Sequence, residues 1–135
     1  MLKRLCLYLI ADKQGIVDDY ICDFLKKIKN DVTDTVIISN GELKKDSYEK
    51  LFNYTQNIYV RENKGFDAGG FKDAIINYVS FEKILMYDEL VLVNDSFFGP
   101  IDSFSHIFKI MDDRKDIDLW SLTKNMGNKD TQPSM

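Results

Sequence analysis

Four apolar runs of strand length, each stopped by a polar cluster, constrain this chain's fold more than any other feature. Leu5-Cys6-Leu7-Tyr8-Leu9-Ile10 ends at Ala11-Asp12, and Thr35-Val36-Ile37-Ile38 ends at Ser39-Asn40-Gly41. Ile58-Tyr59-Val60 ends at Arg61-Glu62-Asn63, and Leu90-Val91-Leu92-Val93 at Asn94-Asp95-Ser96. Helical patterns lie between them. Residues 16–29 place Ile16, Tyr20, Phe24 and Ile28 at four-residue steps, with Ile21 and Leu25 beside them, the spacing of an amphipathic helix. A second stretch, 46–54, carries Tyr48, Leu51 and Phe52 as its stripe. A third runs from about Ala68 to Val79 and continues brokenly to Leu85. Beyond Phe97-Phe98-Gly99-Pro100, which breaks the chain, residues 104–111 read as a short helix and 119–122 as a fifth strand.

Strands alternating with helices predict an α/β fold: a three-layer α/β/α arrangement with a mainly parallel sheet and right-handed crossovers. In such sheets ligands bind outside the carboxyl ends of the strands. All four polar clusters follow strands, so they are expected to converge there on one site. The chain reads as one domain over residues 1–124, with an irregular tail at 125–135 that has lost all periodicity.

Composition narrows the function. At 135 residues the chain can bury a core without staples, and its 44% apolar content excludes disorder. A net charge of −4 disfavours nucleic acid as a partner, which calls for a basic face. Cys6 and Cys22 sit within apolar patterns without metal-ligand spacing, and are expected to be reduced and buried. No apolar run approaches the roughly 20 residues of a membrane span. A cytosol-facing protein, or a piece of one, is the expectation.

The segment Arg61-Glu62-Asn63-Lys64-Gly65-Phe66-Asp67-Ala68-Gly69-Gly70-Phe71-Lys72 carries most of the chemistry. Glycines allow sharp turns and close approach of a ligand to the backbone. A helix start offers unpaired N–H groups to an anion. This strand-to-helix turn therefore reads as a binding site for something phosphorylated; a plain loop with a helix cap is the alternative. Asp67 has its own local reading, as N-cap of the helix beginning near Ala68. Asp95, between Asn94 and Ser96, suits a hard divalent cation carrying phosphate oxygens, or else caps the next turn. His106 is the sole histidine, and no serine or cysteine lies in a nucleophile setting. The Walker pattern and the dinucleotide fingerprint are both missing.

These residues resemble a known family. Residues 61–70 and the segment Tyr87-Asp88-Glu89-Leu90-Val91-Leu92-Val93-Asn94-Asp95-Ser96-Phe97-Phe98-Gly99-Pro100 look like the rhamnan synthesis protein F family. Asp12-Lys13-Gln14-Gly15-Ile16-Val17-Asp18-Asp19-Tyr20, Ile38-Ser39-Asn40-Gly41 and Asp118-Leu119-Trp120-Ser121-Leu122-Thr123 match in place and order. Members are bacterial cell-surface polysaccharide proteins regarded as glycosyltransferases, with a GT-A-like nucleotide-sugar-binding (Rossmann-like) fold. The resemblance implies a nucleotide-sugar donor, with dTDP-rhamnose as the specific candidate, and a saccharide or lipid-linked glycan acceptor. It implies a cytoplasmic place, at the inner face of the membrane if a partner or further segment brings the chain there. Asp12 and Asn40 would lie near the nucleoside. Asn63, Gly65, Asp67, Gly69 and Gly70 would line the donor, with Arg61, Lys64 and Lys72 as nearby cations. Asn94-Asp95-Ser96 takes the place of the Asp-x-Asp motif, making Asp95 the ligand for Mg²⁺ or Mn²⁺. No residue is marked as catalytic base. Because the acceptor half of such enzymes follows the metal motif, the chain resembles the nucleotide-binding half of a transferase. The alternative is a truncated, non-catalytic nucleotide-sugar-binding or assembly module of the same fold.

Overall fold

The computed structural model describes residues 2–62, 64–95 and 108–110, with Phe66 described by its backbone alone. The chain divides into two compact units, residues 1–101 and 102–135. In the second, residues 108–110 are helical, within the helix expected at 104–111. The fifth strand, His106, Trp120 and the 124/125 boundary lie outside the described residues.

The first unit is built on four strands: β1 (Arg4–Ile10), β2 (Asp34–Asn40), β3 (Ile58–Arg61) and β4 (Glu89–Asn94). They pair in the order β3-β2-β1-β4, and every pairing is parallel. The α/β expectation holds. β1 is buried along its whole length, which is why its sequence is continuously apolar after Arg4. β3 and β4 flank the sheet among the described residues, and Leu92 on β4 remains 44% exposed.

Helices cover both faces. Leu5, Leu7 and Leu9 join Val36, Ile38, Ala74 and Val79 in one cluster. Ala74 opens, and Val79 directly follows, the π-helical turn (Ala74–Tyr78) that continues α3 (Phe66–Asp73). The alternate residues of β1 face the other side, where Tyr8 meets Phe24 of α1 (Asp19–Ile28) with ring centroids 5.3 Å apart. α2 (Lys45–Phe52) belongs to this side too. Its Ser47 Oγ accepts from Val17 N and donates to Gly15 O, both at 2.9 Å. The strand order reverses between β1 and β4, so the crevice between their carboxyl ends is the topological switch point.

Local chemistry moved several boundaries. α1 begins at Asp19 rather than Ile16, because residues 14–17 are held by other partners. Asp12 Oδ2 accepts from Gln14 N at 3.0 Å and Ile16 N at 2.9 Å, and Gly15 O accepts from Lys44 N at 2.9 Å. Ile16 is consequently left at the surface, while Val17 is buried. Phe52 is exposed and stacks on Tyr48, with Leu51 alone of that stripe buried. α3 starts at Phe66, after Gly65 in the left-handed conformation (φ +74°), so Asp67 lies inside the first turn and is not the N-cap. The continuation toward Leu85 is interrupted at Ser80 (φ +82°), whose hydroxyl caps the short α4 (Phe81–Ile84). Cys6 is buried and Cys22 only partly so; both are free thiols.

The amino-terminal edge of the sheet is locked by side chains. Arg4 Nε meets Glu89 Oε2 at 2.7 Å, and the Tyr87 hydroxyl donates to Asp34. The carboxyl edge is where the polar clusters gather.

Candidate functional site

The parallel sheet brings the ends of β1, β2, β3 and β4 to one edge, as the four polar clusters require. At the switch point, Asp95 follows β4 and reaches across to β1. Its backbone N–H donates to Leu9 O at 2.9 Å, and its Oδ2 accepts from Ala11 N at 2.9 Å. Its carbonyl oxygen accepts from the Tyr20 hydroxyl of α1 at 2.7 Å. Asp95 is thus held by strand β1 and helix α1 together.

Asn94 turns to the opposite face. Its Nδ2 donates to Asp67 Oδ2 at 2.9 Å, joining the end of β4 to the first turn of α3. The two long motifs seen in the sequence are therefore in direct contact. Asp12 lies at the end of β1, with Oδ2 engaged by its own loop.

Charge at this edge is strongly biased. Burial pushes the Asp95 carboxyl above the ordinary aspartate range, and the charges of Asp67 and Asp12 push the same way. The Ala11 N–H acts in the opposite sense. The charges of two carboxylates therefore bear on Asp95 at the switch point. Among the described residues no group of three or more His, Cys, Asp or Glu side chains could hold a metal ion. A hard cation here would take much of its coordination from ligand phosphates and water.

Two of the cations singled out in the sequence are paired within the fold. Arg61 Nε pairs with Asp73 Oδ2 at 2.7 Å, Nη1 donates to Asn40 Oδ1, and Nη2 donates to Lys64 O at 2.9 Å. Lys64 Nζ pairs with Glu62 at 3.0 Å at the surface. Lys72 is exposed in the last turn of α3, about 9 Å along the helix from Phe66 at 1.5 Å per residue. Its charge belongs to the far end of that helix.

The glycines serve close packing. A Cβ on Gly70 would stand 2.3 Å from Leu9 Cδ1, and one on Gly69 would stand 2.2 Å from Lys64 O. The structure places Asn40 inside this packing, 5% exposed, between Arg61 and Gly70. Of the residues singled out in the sequence, Asp67, Asn94 and Asp95 meet at the switch point, with Asp12 close enough for its charge to bear on Asp95. Arg61, Asn40, Gly69 and Gly70 form the packed support beneath. Asn63 and Ser96 lie outside the described residues. Sequence reading missed Ala11, whose contribution is a backbone N–H, and Tyr20, taken only as part of an apolar stripe. It also missed Asp73, which carries no local signal of its ion pair.

The family model for rhamnan synthesis protein F matches residues 35–135, from the second residue of β2 to the last residue. β1, α1 and Asp12 precede the match. No curated protein and no solved structure matches the chain significantly.

Proposed function

Because the chain belongs to the rhamnan synthesis protein F family, we propose that it is the nucleotide-sugar-binding part of a glycosyltransferase for bacterial surface polysaccharide. The observation that carries this reading is the joining of Asp95 and Asn94 to two different elements at the switch point, one to β1 and the other to α3. In doubly wound sheets this crevice is where nucleotides lie.

In this account the donor is a nucleoside diphosphate sugar, with dTDP-rhamnose as the specific candidate. The diphosphate approaches the amino terminus of α3, whose first N–H groups and helix dipole favour negative charge. Asp67, held by Asn94, orients the donor through hydrogen bonds, and Asp12 and the backbone after β1 border the nucleoside. The carboxylates at this edge oppose an anionic ligand by themselves, so a counter-charge is required. Asp95 fits a hard divalent cation, being a half-buried carboxylate fixed at the backbone. Such a cation, Mg²⁺ or Mn²⁺, would supply the positive charge that stabilises a departing nucleoside diphosphate. The acceptor is a saccharide or lipid-linked glycan. No helix among the described residues is long and apolar enough to cross a membrane.

The test is equilibrium binding of labelled dTDP-rhamnose to the wild type and to Asp95→Ala, with Mn²⁺ present. Metal-dependent binding lost in a folded Asp95→Ala variant supports the reading; equal affinity in both rejects the role of Asp95. The internal use of Arg61, Asn40, Gly69 and Gly70 favours a second reading, a non-catalytic module that keeps the fold and binds the donor without transferring it. Donor binding without sugar release or transfer would select it.

A further inference from the structure

The Tyr8 hydroxyl takes no part in the contacts described so far. Tyr8 is wholly buried, yet among the described residues its Oη is the buried side-chain polar atom without a hydrogen-bond partner. Phenylalanine would fill the same space against Phe24 without burying a polar group. An unsatisfied buried hydroxyl costs roughly 1–3 kcal/mol, and such groups in native proteins generally have a water, ion or functional partner.

The register shows where that partner lies. Tyr8 is opposite Val93 in the β1–β4 pairing, and Asp95 follows two residues later, on the same face of the strand path. Asp95 is already fixed beside β1 by Leu9 O and Ala11 N. Tyr20 approaches from α1, four residues before the Phe24 ring that covers Tyr8. The ionisable groups whose charge bears on the phenol are Asp95, Tyr20, Cys6 and Cys22. The two thiols are weak hydrogen-bonding groups, and the Tyr20 hydroxyl, which donates to the Asp95 carbonyl, is left only a neutral phenolic oxygen as acceptor. The Asp95 carboxylate is the strong acceptor of the set. Burial, with the Asp95 charge second, also pushes the Tyr8 phenol up, so it stays a donor across the working pH range.

We propose that one internal water bridges the Tyr8 hydroxyl to the Asp95 carboxylate, making Tyr8 a positioning residue for the strand-end acid. The water accepts a hydrogen bond from the Tyr8 hydroxyl and donates one to the carboxylate. The Tyr20 oxygen, which also bears on Tyr8, is the third polar group of the set, and a buried water needs two to four such partners. Tyr8 thereby acts on the site through the water.

A double-mutant cycle tests the bridge in the free protein, using Tyr8→Phe, Asp95→Ala and the double variant, with Asp95→Asn replacing Asp95→Ala should the latter not fold. The expected result is that Tyr8→Phe lowers the folding equilibrium constant severalfold in the wild-type background. In the Asp95 variant that effect should shrink at least threefold. Equal effects in both backgrounds, or a Tyr8→Phe protein as stable as the wild type, would overturn the proposal. The consequence for ligand rests on the function proposed above: Tyr8→Phe should weaken Mn²⁺-dependent dTDP or UDP binding at least threefold while remaining folded. Unchanged affinity where the wild type binds removes the positioning role. A wild type that binds neither nucleotide rejects the functional reading instead, and the stability cycle then decides the bridge.

Discussion

Asn94 Nδ2 donates to Asp67 Oδ2 at 2.9 Å, so the last residue of β4 holds the first turn of α3. The two residues are 27 positions apart, and each lies in a motif that the sequence marks as unusual. Their contact joins the glycine-rich turn to the switch point. Asn94→Ala leaves the partly buried carboxylate without this donor and should cost about 1.5 kcal/mol, the range for a hydrogen bond to a charged group. Asp67→Asn retains an acceptor oxygen and should cost less. Urea denaturation of both variants measures the difference.

Arg61 stabilises the fold beneath the site. Its side chain is 10% exposed, and it unites Asp73, Asn40 and the Lys64 carbonyl. Arg61→Ala should destabilise by about 3 kcal/mol, because two part-buried acceptors, on Asp73 and Asn40, lose their donor together. Asp73 is partly solvated, which keeps the loss below that of a fully enclosed pair. Arg61→Lys should recover little of it, since an ammonium cannot reproduce the planar fork. Chemical denaturation of the two variants checks both values.

Gly70 packs α3 against β1. A Cβ there meets Leu9 Cδ1 at 2.3 Å, so Gly70→Ala should destabilise by roughly 1–3 kcal/mol despite alanine's better helix propensity. Leu9→Ala alone opens a cavity and should cost about 2–5 kcal/mol. Combined, the new methyl enters the space that leucine vacates, and the double variant should lose clearly less than the two losses added. Strict additivity would show that Gly70 is required for another reason.

The fold was largely readable because its main signals are local. The continuous run Leu5–Ile10 announces a strand buried on both faces, and the turn residues after each strand mark the end at which the site forms. The errors arose where a tertiary partner overrode a local pattern. Ile16 fits the helical stripe of α1, yet the Asp12 carboxylate takes its N–H and keeps it outside the helix. Asp67 has the chemistry of a cap, yet Gly65 occupies that position and leaves the carboxylate for Asn94. At the site, Asp95 was recognisable as a carboxylate at a strand end. Its attachments were not: Ala11 contributes only backbone, Tyr20 resembles a core aromatic, and the Arg61–Asp73 pair depends on how α3 returns past β3. The glycines stood out in sequence as a ligand cradle, while the structure uses Gly69 and Gly70 for internal contact.

Acid should favour the ligand-free fold at one position. The folded-state pKa of Asp95 lies above its ordinary value, chiefly through burial and then through the Asp67 and Asp12 charges. Between the unfolded and folded pKa values the native state holds more proton than the unfolded chain, so this contribution is full below the unfolded pKa and is lost as pH rises through the folded one. Asp95→Asn, which keeps an acceptor without the charge, should therefore be relatively more stable at pH 7 than the wild type, and the gap should close below about pH 4. Thermal melts across that range measure it, and a gap independent of pH would contradict the assignment.

The most direct measurement is isothermal titration of the purified chain with dTDP and with UDP, each with and without Mn²⁺ or Mg²⁺. Binding of at least one nucleotide that strengthens when the metal is added is the predicted result, and it would identify the preferred base. Absence of binding under all of these conditions would contradict the claim that this chain carries a working nucleotide-sugar site at the β1–β4 switch point.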